Sequence, residues 1–279
     1  LWVISHYGGE PVKRFITCLE QLVEDKGLDR TTATFWLAAC SLNQHDLDGE
    51  GETAGGVSAS PVVRALLVAD GCVSVVDGKG EFFTRVWCAW ELYCGLAYAP
   101  PGFEHHVATS TEALVARSGL PVSAVLLLDG PARSDKDSSH RKALREAAFP
   151  VDLLSRAQEF RLDRARATRP GDEEAIRKAV GHEAGKLEAT VRVRFSHHAL
   201  VTRTSERWSM GWRLRPLLAA LRRANVRSLS LSWPSPPAEA RTLQLAAALP
   251  GTLAFLRLEG AHPAIGDRAA KLVQSGQLL

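Results

Sequence analysis

The chain has 279 residues, 46% apolar and 23% charged, an ordinary globular composition with room for one large domain or two smaller ones. Its 34 basic and 31 acidic residues leave a net charge of +3, so nucleic acid and anionic membrane are not expected as partners. No apolar run is long enough to span a bilayer, and the opening Leu1-Trp2-Val3-Ile4 lacks both the basic start of a secretory signal and an initiator Met, which points to a trimmed fragment.

In chain order, Leu1 to Ser5 reads as a first strand and His6-Tyr7-Gly8-Gly9-Glu10-Pro11 as a turn, with Pro11 suited to the first helical position. Val12, Phe15, Ile16, Leu19, Leu22 and Val23 repeat at helical spacing, and Gly27 ends that helix. Residues 34–39 read as a second strand, followed by a long polar loop to Gly56. Ser60-Pro61 opens a helix whose apolar face is Val62, Val63, Leu66 and Leu67. A buried strand at 72–76, a turn at Asp77–Gly80 and a helix opening near Thr84 come next. Further strands are expected near His106-Val107-Ala108 and at Val122 to Leu128, then helices over 143–189 interrupted at Pro170-Gly171. Strands alternating with helices of this length predict an α/β fold, a parallel sheet with helices on both faces. Near-continuous apolar strands fit burial on both sides.

In the last eighty residues, Val226-x-x-Leu229-x-Leu231 recurs as Leu253-x-x-Leu256-x-Leu258, 27 residues on. A short L-x-x-L-x-L strand preceded by a helix at this period is a leucine-rich-repeat signature. The alternative is coincidental spacing in a Leu/Ala-rich tail.

Cys18, Cys40, Cys72, Cys88 and Cys94 are odd in number and lie in apolar patterns, which reads as buried free thiols in a reducing, cytoplasmic compartment. With no Cys-x-x-Cys pair, and with His105-His106 and His197-His198 adjacent instead of helically spaced, no metal site is expected.

The segment Thr84 to Ala97, TRVWCAWELYCGLA, places a single acid, Glu91, on an otherwise nearly apolar helix, four residues past Trp87 and on the same stripe. Strand, turn and helix in this order present side chains at the carboxyl end of a sheet, where open α/β sheets bind ligands. A carboxylate beside a large aromatic there suits work on a glycosidic bond. The plainer readings are a solvated helix glutamate for Glu91 and a packing role for Trp87, with Trp90 in the core. Ser5 and His6 read as ligand contacts or as turn caps. Gly8-Gly9 reads as a backbone approach to phosphate or as a tight turn. His45-Asp46 reads as half a dyad or as a loop hydrogen-bonding pair, and Asp48, Glu50 and Glu52 as a solvated acidic loop.

Residues 1–165 resemble a Toll/interleukin-1 receptor/resistance (TIR) domain. The resemblance rests on Ile4-Ser5-His6 with Gly8-Gly9-Glu10 and on Trp87-Cys88-x-x-Glu91-Leu92. Phe35-Trp36, Asn43-Gln44-His45, Phe83 to Cys88 and Phe149-Pro150-Val151-Asp152-Leu153 are similar to a divergent algal TIR-like group that often carries leucine-rich repeats downstream. The chain departs from the family at Pro11, where an acid is usual, and in the loop SLNQHDLDGEGETAGGVSAS. The resemblance implies a flavodoxin-like fold, a helical linker over 166–198 and a partial repeat region over 199–279. It also implies cleavage of NAD⁺ between nicotinamide and ribose, with NAD⁺ as substrate and no bound cofactor. Glu91 occupies the family's catalytic position, and Ser5, His6, Tyr7, Gly8, Gly9 and Trp87 are the expected dinucleotide contacts. Protein partners on the TIR-like and repeat surfaces, and self-association, are implied as well. Two alternatives remain: a non-enzymatic TIR-like interaction module, and a nucleoside deoxyribosyltransferase-like enzyme that shares the layout and a glutamate nucleophile.

Overall fold

The computed structural model of the chain describes residues 1–41, 59–98, 102–110, 123–128, 146, 149–205, 228–232 and 255–259. Strand β1 (Trp2–His6) leads into helix α1 (Val12–Lys26). Gly27 closes that helix in the left-handed region at φ 60°, donating its N–H to Glu24 O, while Leu28 N–H reaches back to Val23 O. Strand β2 is only Phe35–Trp36, shorter than the residues 34–39 expected. The small residues after it wind into helix α2 (Ala38–Ser41), whose Ser41 N–H bonds Leu37 O at 2.8 Å. Alanine's helix preference wins where no second neighbour strand extends the ladder. The polar loop read at 42–56 lies outside the described residues.

Helix α3 (Pro61–Val68) starts as read, with Ser60 at the N-cap position and Pro61 in its first turn. Val62, Val63 and Leu66 are buried, but Leu67 is 47% exposed. Strand β3 (Gly71–Val75) is buried throughout. Gly71 is required there by close approach, because a Cβ would lie 2.4 Å from Glu104 O and 2.5 Å from the Trp2 ring. After β3, the buried Asp77 accepts hydrogen bonds from Lys79 N–H (3.0 Å) and Phe82 N–H (2.9 Å). This fixes a 3₁₀ turn at Glu81–Thr84, and helix α4 (Val86–Tyr98) begins two residues later than read. Strands β4 (Glu104–Thr109) and β5 (Val125–Leu127) follow, then helices α5 (Val151–Gln158), α6 (Pro170–Val180) and α7 (Ala184–Ser205). Pro170 opens α6 instead of breaking a helix, as its fixed φ and missing N–H allow in a first turn.

The five strands order as β2-β1-β3-β4-β5. β2, β1, β3 and β4 run parallel, with Val3 beside Cys72 and Cys72 beside His105. The edge strand corrects the all-parallel expectation: β5 runs antiparallel to β4, pairing Val107 with Leu127 and Thr109 with Val125. Ser110 Oγ bonds Ser123 O at 2.6 Å, so the chain re-enters beside the point where it left β4, and a return at the same end gives an antiparallel pair. The molecule is thus α/β with a mixed sheet. Strand order reverses between β1 and β3, the place where such sheets form a crevice.

Helices cover both faces. α1 packs through Phe15, Cys18 and Leu22 on Trp2, Ile4, Val73, Val75 and Ala108. The opposite face buries Val3, Cys72, Val76 and Val107 under α3 and α4. Ile176 and Val180 of α6, and Leu187, Val191 and Phe195 of α7, belong to that same core, so the stretch read as a linker packs with the sheet domain through residue 195. Tyr93 Oη donates to the Glu183 carboxylate, tying α4 to the start of α7. Separately, β6 (Ser228–Ser232) and β7 (Phe255–Glu259) pair in parallel, with Leu229 beside Leu256 and Leu231 beside Leu258. No helix among the described residues is long and apolar enough to cross a membrane.

At the amino ends of the strands, Lys26 Nζ meets Glu104 Oε2 at 2.7 Å, with the lysine side chain fully buried and the glutamate 20% exposed. His106 Nε2 is 3.4 Å from the same oxygen. Burial opposes the Glu104 charge, but His106 and Lys26 outweigh it and hold the carboxyl below its ordinary value of 4.5. A carboxyl whose folded pKa is depressed stabilises the fold above its unfolded pKa, and that stability is lost as pH falls through the folded value. We expect Glu104→Gln to cost about 2–4 kcal/mol in urea unfolding at pH 7, because it leaves a buried ammonium facing a neutral amide. The variant should also lose less stability than the parent as pH falls below 4.5, the ordinary glutamate value.

Candidate functional site

Alternation along β1 separates two residues that the sequence placed together. Ser5, two residues on from Val3, is buried and faces α4 on the side of the Cys88 thiol. His6 points the other way and packs on Phe15 of α1 with ring centroids 4.8 Å apart. Burial lowers its pKa, against a smaller raising effect of the Ile4 backbone, so the imidazole is neutral at pH 7. The following turn is closed by Glu10 N–H donating to Tyr7 O at 2.9 Å, with Gly8 and Gly9 exposed in it. Tyr7 lies under the Arg85 guanidinium, 5.7 Å from the ring centroid, at the start of α4. Glu10 is buried, and its pKa is raised by burial and by Asp77, with Arg14 pulling the other way.

Helix α4 descends along the Ser5 side of the sheet. Its Cys88 Sγ donates to His6 O at 3.5 Å. Glu91, one turn further, is half-buried. Burial first, and then the Glu91 charge, raise the thiol pKa values of Cys72 on β3 and of Cys88 and Cys94 on α4. The carboxylate adds to burial in disfavouring the thiolate at all three sulfurs. Ser5, Cys88 and Glu91 share this flank, whereas His6 does not.

Trp87 is tied elsewhere. Its Nε1–H donates to Asp172 Oδ2 of α6 at 3.1 Å, and the half-buried ring packs against the core. Arg85 donates to Thr168 Oγ1 at 2.8 Å, and residues 84–86 pair with Arg166 through Val86 N–H to Arg166 O (3.0 Å) and Arg166 N–H to Thr84 O (2.7 Å). The packing reading of Trp87 accounts for both ends of that side chain.

Three residues to which the sequence reading gave no role make a buried polar chain on the same face. Ser74 Oγ lies 2.9 Å from His105 Nε2, and Arg194 Nε donates to His105 Nδ1 at 2.6 Å. The Arg194 guanidinium also donates to His105 O. Arginine has only donors, so Nδ1 must be the acceptor, and the imidazole is the neutral tautomer with its proton on Nε2. That proton is donated to Ser74, which excludes His105 as a base poised on the Ser74 hydroxyl. The available signal was polarity inside apolar runs: Ser74 in CVSVV, His105 in EHHVAT and Arg194 in VRVRF. Among the described residues no group of three or more His, Cys, Asp or Glu could hold a metal ion. The loop residues His45, Asp46, Asp48, Glu50 and Glu52 lie outside the described residues.

Comparison with known protein families, with curated proteins and with solved structures yields no match to this chain.

Replacing Trp87 by Phe keeps the packed ring and deletes its N–H. We expect a loss of about 1 kcal/mol or less in chemical unfolding, as for one half-buried hydrogen bond to a carboxylate that keeps access to solvent. A loss of 3 kcal/mol or more would mean that the indole holds α6 on α4 through more than this contact.

Proposed function

We propose that this chain carries a TIR-like signalling domain that cleaves NAD⁺ to nicotinamide and ADP-ribose, with Glu91 as the catalytic carboxylate. The observation that supports the reading is Glu91 half-buried on α4, one turn past Cys88, whose thiol reaches His6 O at the end of β1, in a sheet whose strand order reverses between β1 and β3. The strand order is that of flavodoxin-like sheets, with an antiparallel edge strand. As the ribosyl–nicotinamide bond breaks, nicotinamide leaves with the bonding pair as a neutral molecule and positive charge builds on the sugar. A carboxylate on the sugar's face stabilises that charge, and water then adds with release of one proton. The leaving group is already cationic in NAD⁺, so no second acid is needed to protonate it. Ser5, Tyr7, Gly8 and Gly9 border the same end of β1. In this reading the protein is cytoplasmic, and residues 199–279 carry leucine-rich repeats that bind partners.

One set of contacts favours a second reading, a non-enzymatic interaction module. Trp87 Nε1–H and one Arg85 guanidinium N–H are engaged within the chain, by Asp172 and Thr168. Residues 42–57 would then carry the association.

Purified protein should release nicotinamide from NAD⁺, measured by chromatography, and Glu91→Gln should reduce the rate at least ~100-fold with an unchanged circular dichroism spectrum. Equal release by parent and variant would remove Glu91 from the chemistry. A parent that is silent at every concentration, yet loses partner capture when residues 42–57 are replaced, would select the second reading.

A further inference from the structure

We propose that the Arg194–His105 contact is a latch that fastens α7 onto the sheet, and that release of α7 opens the sheet face at His105 and its strand neighbour Cys72. The consequence for catalysis rests on the NAD⁺-cleaving reading; the opening itself does not.

Four observations carry it. Arg194 is 4% exposed and His105 1%, so the contact is made away from water. It is two-pronged, with guanidinium N–H groups donating to both the ring Nδ1 and the backbone oxygen of one residue, which fixes α7 in register against β4. Cys72 is the strand neighbour of His105 in the sheet. Its thiol is raised by burial and by Glu91 and lowered by its backbone contact with Ser5 and by Arg194, so both charges lie in range of one sulfur. A cation delivered by α7 therefore acts on the same sulfur as the acid delivered by α4, and that influence goes when α7 leaves. Arg194 lies beyond residues 1–165, so the latch joins the sheet domain to the helix that leads in sequence toward β6 and β7.

His105 meets the guanidinium as a neutral acceptor through both its ring and its backbone oxygen. Ser74 completes the arrangement by taking the Nε2 proton, which keeps Nδ1 free to accept.

The test is site-resolved thiol alkylation of the full chain, read by mass spectrometry. Cys72, the strand neighbour of His105, reports the face that α7 shares with α3 and α4, Cys18 reports the opposite face under α1, and the exposed Cys40 is an internal standard. In Arg194→Met we expect Cys72 to alkylate at least ten times faster than in the parent, while Cys18 stays at the parental rate. Arg194→Lys keeps the charge but loses the two-pronged geometry, and should fall between the two. Equal Cys72 rates in parent and variants would overturn the latch. So would Cys18 accelerating together with Cys72 in both variants, since Arg194 would then support the whole core. Nicotinamide release, measured in parallel, separates the two proposals: faster Cys72 labelling with no release in any variant keeps the latch and ends the NAD⁺ reading.

Discussion

A buried arginine dictates the arrangement of one whole face of this sheet. Arg194 has donors only, and burying it obliges the surroundings to supply acceptors. His105 supplies a ring nitrogen and a carbonyl, and this choice sets the imidazole tautomer. The tautomer in turn sets the direction of the hydrogen bond to Ser74, so a side chain on α7 determines the proton arrangement between β3 and β4. The sheet domain consequently cannot end near residue 165 in physical terms. Phe195, adjacent to Arg194, makes edge contacts with Phe82 and Phe83, so the turn after β3 is packed by the same helix that carries the arginine.

Much of the fold was legible because its signals are local. The apolar run of β3, the Gly27 stop and the Ser60-Pro61 start each rest on a few neighbouring residues, and each stands where expected. The direction of β5 was not legible. Val125 to Leu127 reads identically in a parallel or antiparallel ladder, and what decides is Ser110 meeting Ser123, a contact between residues thirteen apart. The end of β2 was misread for a related reason. Leu37-Ala38-Ala39 is as apolar as a strand needs, but strand propensity is expressed only where a neighbour supplies the ladder.

The candidate site was legible one residue at a time and not as a set. Glu91 was visible as a lone acid in an apolar helix. Its companions depended on geometry that composition does not carry. Ser5 and His6 are adjacent in sequence and opposite in space. Trp87 finds its partner 85 residues away, in a helix that resembles no part of the family motif. Arg194 lies in VRVRF, where apolar residues and arginines alternate, and nothing in that pattern singles out one arginine for burial, since arginines are mostly exposed.

The strand pair β6 and β7 bears on the proposed repeats through its register. Any two parallel strands need a crossover of a dozen or more residues, so parallel pairing alone says little. The offset is more informative. The sequence repeats Leu-x-Leu with a shift of 27 residues, and the ladder pairs Ser228 with Phe255 at that same shift, so equivalent leucines stand side by side. A slip of one residue in either direction would no longer pair leucine with leucine. A repeat that stacks by translation requires its sequence period and its ladder register to be equal, because each unit buries its face only against the next copy. Unrelated strands in a Leu/Ala-rich tail carry no such requirement. On the proposed repeat reading, α7, the helix held by the Arg194 contact, stands between the sheet domain and the first of those units along the chain.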